Sequence, residues 1–83
     1  MKNYELKEEV LKINTQLMEY DKLLDTYEIN YHKYTCELDK YKDAKTKLVL
    51  IEALDRVMSN IDRTMEEVQK LNRRLEQLVN QVA

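Results

Sequence analysis

The chain has 83 residues, and among them there is no glycine, proline, tryptophan or phenylalanine, and one cysteine. Glycine and proline usually make tight bends, so their absence argues for very few bends and against a β-rich fold. A chain without glycine also has no phosphate-cradling P-loop and no dinucleotide-binding turn, so no nucleotide cofactor is expected. No apolar run approaches the roughly 20 residues that span a bilayer. The opening Met1-Lys2-Asn3-Tyr4-Glu5 lacks the apolar core of a secretory signal. Cys36 has no second cysteine to pair with in the chain, which fits a reducing compartment. The expected location is the cytoplasm, or the nucleus in a eukaryote. A net charge of −2 provides no global basic field, and nucleic acid is not an expected partner.

What the chain has is charge and periodicity. Charged residues make up 36% of it, the profile of long solvated helices. Tyr20, Tyr27, Tyr34 and Tyr41 recur every seven residues. Seven residues are two helical turns, so these rings share one stripe. A second stripe runs through Val10, Leu17, Leu24, Tyr31 and Leu38. With Leu6 and Ile13 the two stripes make a heptad seam, and no charged residue interrupts it from Leu6 to Tyr41. A narrow seam with polar flanks is the mark of helix packed on helix.

Past Tyr41 the same count would put Lys45, Glu52 and Asp55 on the seam. A new seam is therefore expected from Ile51, with Ile51, Met58, Met65, Asn72 and Val79 on one stripe and Leu54, Ile61, Val68, Leu75 and Val82 on the other. The break falls at about residues 42–47, between a first arm of about 4–41 and a second of about 48–82. Two readings follow. The break is either a stammer in one rod of about 120 Å, or the tip of an antiparallel αα-hairpin. The arms match in length, and folding them together sets Leu38 beside Leu54, Tyr34 beside Met58 and Tyr27 beside Met65. It also sets Leu24 beside Val68, Tyr20 beside Asn72, Leu17 beside Leu75 and Val10 beside Val82. Thioether on aromatic is a favourable contact, and an amide can satisfy a buried phenol. Against the hairpin stand the lack of Gly or Asn at the tip and the continuous run Leu48-Val49-Leu50-Ile51. The expected fold is thus all-α, one domain over 1–83, with the hairpin favoured over the rod and assembly into a helical bundle.

The second arm carries a third stripe, Leu50, Val57, Leu71 and Leu78, interrupted by Thr64. A two-helix contact does not need it, so a further helix is expected alongside. Asn72, an amide within a seam, is the kind of residue that sets register or partner number. The expected packing and oligomer interface therefore comprises Leu17, Tyr20, Leu24, Tyr27, Tyr31, Tyr34, Leu38, Leu50, Val57, Met58, Met65, Leu71, Asn72 and Leu78.

Other side chains have bland explanations. His32 and Cys36, one turn apart, have zinc-ligand spacing, but the chain has no second pair to close a tetrahedral site, and no metal site is expected. Ile29 and Cys36 lie on the face away from the seam. Lys70, Arg73 and Arg74 are flanked by Glu66, Glu67 and Glu76, which favours ion pairing over phosphate contact. Scattered surface carboxylates come with no shielded cleft to tune them for acid–base work, so no catalytic residue is expected. The expectation is a non-enzymatic structural or adaptor protein that binds itself or other helical proteins. The alternative is a small regulator that docks a helical face onto an enzyme or a nucleic-acid machine.

Overall fold

The computed structural model describes residues 3–82, without the side chain of Val82. It is an antiparallel hairpin of two helices, α1 (Asn3–Lys40) and α2 (Ala44–Val82). Its long dimension is 62 Å, against 15 and 14 Å across. The doubled-back chain, and not the rod, is the fold. The proposed pairing of Val10 with Val82 lies outside the described side chains.

Neither helix contains a glycine or proline to interrupt it. In α1, Glu5 lies in the first turn and Lys40 in the last, each opposing the partial charge of its helix end. Threonines within the helices satisfy their own hydroxyls: Thr15 donates to the Leu11 carbonyl at 3.0 Å and Thr26 to that of Lys22 at 3.1 Å.

The connection is only Tyr41-Lys42-Asp43, shorter than the break expected at residues 42–47. Lys45, Thr46 and Lys47 belong to α2. Asp43 is the reason. Its Oδ2 accepts from the Thr46 backbone N–H at 3.0 Å and from the Thr46 hydroxyl at 2.6 Å. The Asp43 carbonyl accepts from Lys47 N–H at 3.0 Å, the first bond of the helix. Asp43 is therefore the N-cap of α2. These bonds hold its carboxyl below the ordinary value of 3.8, the Thr46 hydroxyl contributing most. No residue among those described has a positive φ. The turn closes without a left-handed residue, so it needs no glycine, and the missing Gly or Asn is no obstacle.

Between the helices runs a thin core. On α1 the inward residues are Leu6 and Ile13, both buried, followed by the half-buried Val10, Leu17, Tyr20, Leu24, Tyr27, Tyr34 and Leu38. Tyr41 lies in the turn and is exposed. On α2 the inward residues are Leu50, Val57, Thr64, Leu71 and Leu78, alternating with Leu54, Ile61, Val68 and Leu75. Near the open end Leu6, Ile13 and the fully buried Leu78 form one cluster, with Val10, Leu17, Leu71 and Leu75 around it.

This exchanges two stripes of α2. The stripe expected to serve a further helix faces α1, and the stripe expected to face α1 is exposed. Ile51, Met58, Met65 and Val79 are all exposed, and so is Asn72. The sequence allows both seams, because each shares the Leu54, Ile61, Val68 and Leu75 stripe. The observed choice buries branched aliphatic side chains and leaves the Asn72 amide in water, where it costs nothing to solvate. Its one polar member, Thr64, has its hydroxyl bonded to the Asn60 carbonyl at 2.8 Å. Met58 lines an open groove together with Tyr31.

Candidate interaction face

Two flanks border the seam, and they differ in chemistry. One is polar. There Arg74 on α2 reaches Glu9 on α1, donating from Nη2 at 2.9 Å and from Nε at 3.1 Å to the same carboxylate oxygen. On the same helix Lys70 pairs with Glu67 at 3.3 Å. Two members of the basic cluster thus sit in ion pairs, Lys70 with Glu67 and Arg74 with Glu9.

The other flank is apolar and open. Ile51, Met58, Met65 and Val79 stand along it at multiples of seven residues, with Asn72 interrupting them. About half of each apolar side chain is exposed: 45% for Ile51, 51% for Met58, 49% for Met65 and 56% for Val79. Helix geometry explains the stripe. Residues seven apart differ by only about 20° around the axis, so each member lies nearly above its neighbour, and the stripe drifts by roughly 80° from Ile51 to Val79 in a straight helix. The stripe adjoins the inward residues Leu54, Ile61, Val68 and Leu75, so α2 has a broad apolar face and α1 covers only part of it. On α1, Tyr4, Leu11 and Met18 are also exposed at seven-residue spacing.

Midway along the hairpin this flank forms an open groove of about 350 Å³, lined by Glu28, Tyr31, His32, Met58, Ile61 and Asp62. The Tyr31 and His32 rings meet edge to face, with centroids 6.2 Å apart and planes at 78°. The groove has an apolar floor of Met58 and Ile61 and carboxylates at its rim. Such a shape suits a side chain projecting from another helix.

The interface residues named from sequence therefore fall into three settings. Leu17, Tyr20, Leu24, Tyr27, Tyr34 and Leu38 line the seam from α1, and Leu50, Val57, Leu71 and Leu78 line it from α2. Met58, Met65 and Asn72 lie on the open flank. Tyr31 stands between the two, 36% exposed. The sequence reading missed Asp43, although an Asp three residues before Thr46, ahead of an apolar run, is a recognisable helix start.

Cys36 is exposed, and among the described residues no three His, Cys, Asp or Glu side chains converge on a common point. No described helix is long and apolar enough to cross a membrane. The fold and flanks define the class: an all-α antiparallel helical hairpin with one polar and one apolar flank. No protein-family model, curated protein or solved structure matches the chain.

Proposed function

We propose that the hairpin is a non-enzymatic structural or adaptor module that works by helix–helix association through its open flank. The observation that carries this reading is the unpaired stripe Ile51, Met58, Met65 and Val79 beside an already filled seam. Apolar groups aligned for four heptads on a thin hairpin gain stability when another helix covers them. The core supports the same view. Among the described residues only Leu6, Ile13, Leu50, Val57, Leu78 and Thr64 are buried, a small core for a chain of this length.

Titratable side chains are spread along solvated faces. The Asp43 carboxyl, held below its ordinary value, caps a helix. These features support binding over catalysis. The exposed thiol of Cys36 suits a reducing compartment, and the cytoplasm or nucleus is the proposed setting.

Site-specific photo-crosslinking in the cell of origin tests the reading. A photoreactive residue at Met58 should give a covalent adduct with another polypeptide, either a second copy or a partner. The same residue at Arg63, away from the stripe, should give much less. Equal labelling at both sites, or no adduct at Met58, would contradict it.

A further inference from the structure

The open flank is acidic as well as apolar, and this narrows what covers it. Asp55 lies three residues before Met58 and four after Ile51. Asp62 lies four after Met58 and three before Met65, and Glu76 three before Val79. On a helix those spacings are nearest neighbours, so these carboxylates form the outer edge of the stripe. Glu28 of α1 supplies the inner edge at the groove it shares with Met58 and Asp62. Lys7 is a base toward the open end. The bases Arg56, Arg63 and Lys70 recur every seven residues on a different face of α2, and Arg74 is engaged by Glu9 on the opposite flank.

We propose that the occupant of this flank is a basic amphipathic helix of a partner protein, lying along Ile51, Met58, Met65 and Val79 with lysine or arginine against Asp55, Asp62, Glu76 and Glu28. The proposal rests on the helix-association reading above. A second copy fits less well. In a two-fold contact the same patch meets itself, so the acidic edge would face an acidic edge. A basic helix turns that repulsion into attraction and faster encounter. The methionines suit such a guest, since an unbranched thioether chain adapts its rotamer to the side chain it meets. From Ile51 to Val79 the stripe is about 42 Å long, which takes a guest of about four heptads. Its apolar anchors would recur at three- and four-residue intervals.

The test uses the full chain and two synthetic four-heptad peptides with the same leucine seam, one flanked by lysine and the other by glutamate. Fluorescence anisotropy should show the lysine peptide binding at least ~10-fold more tightly than the glutamate peptide, with affinity falling as salt rises. Replacing Asp55 and Asp62 by asparagine should remove most of that preference. Met58→Gln with Met65→Gln, which leaves charge unchanged, should weaken the lysine peptide by about tenfold. Both positions are exposed, so circular dichroism should show that these variants keep the hairpin. Equal affinity for the two peptides overturns the proposal, as does lysine-peptide binding that ignores the methionine changes. Sedimentation of the chain alone separates the two levels of the argument. Self-association dissolved by Met58→Gln would make a second copy the occupant, which overturns this proposal and keeps the helix-association reading. A monomer that binds neither peptide overturns both.

Discussion

Arg74 and Glu9, 65 positions apart in the chain, meet at 2.9 Å across the hairpin. Their contact lies on the polar flank and needs α1 and α2 to run antiparallel in the observed register. The pair is partly exposed, 44% for Arg74 and 32% for Glu9, so water and salt weaken it. A double-mutant cycle with Glu9→Gln and Arg74→Gln should give a coupling of ~0.5 kcal/mol that declines with added salt. Zero coupling at low salt would mean that the two side chains do not meet in solution.

Leu78 and Val79 are adjacent in sequence and opposite in environment. Leu78 is fully buried, and Val79 is 56% exposed. Leu78→Ala should cost about 2–4 kcal/mol in urea denaturation, through lost burial and the cavity left behind. Val79→Ala should cost about 0.5 kcal/mol or less in the isolated chain. The reverse order would restore the seam first expected from the sequence, with Val79 inward.

Asp43 ties the turn to pH. Its carboxyl is held below the ordinary 3.8 by the Thr46 hydroxyl and backbone N–H, so the ionised form is favoured by folding. The sign follows. That stabilisation is fully present above the unfolded value of 3.8, and it is lost as pH falls through the lower folded value. Asp43→Ala should therefore lower Tm at about pH 7, and the gap from the native chain should shrink at about pH 2. Asp43→Asn keeps an acceptor for the cap and should recover part of the loss at neutral pH. A gap unchanged across the acid range would show that the cap does not depend on the charge.

Thr64 is the polar residue in the buried stripe of α2, 6% exposed, with its hydroxyl turned back to Asn60. The Asn60 carbonyl is already in the helix ladder, so losing the hydroxyl orphans nothing essential. Thr64→Val should raise stability by about 1 kcal/mol as measured by urea denaturation. A loss of stability would mean that the hydroxyl bond matters to the helix.

The helices were legible because their signals are local. Seven-residue repetition and the absence of breakers specify long helices with one apolar side. The matched lengths of the two arms favour the hairpin over the rod. The choice between two adjacent seams on α2 was not legible from periodicity alone, because both contain Leu54, Ile61, Val68 and Leu75. What decides it is desolvation: the Asn72 amide stays in water when Leu50, Val57, Leu71 and Leu78 turn inward. The lack of Gly or Asn at the tip counts against a hairpin in the sequence, yet the chain bends without positive φ among the described residues and secures α2 with the Asp43 side chain. The open flank follows from the same exchange. An extra stripe was expected, but the exposed one consists of Ile51, Met58, Met65 and Val79.

The distance between spin labels at residues 9 and 74 tests the hairpin most directly, with Cys36 replaced by serine and labelled chain diluted in unlabelled chain. The antiparallel hairpin predicts a single short distance, on the order of 10–20 Å once the label arms are included. A continuous helix would separate the same sites by about 100 Å and would contradict the account.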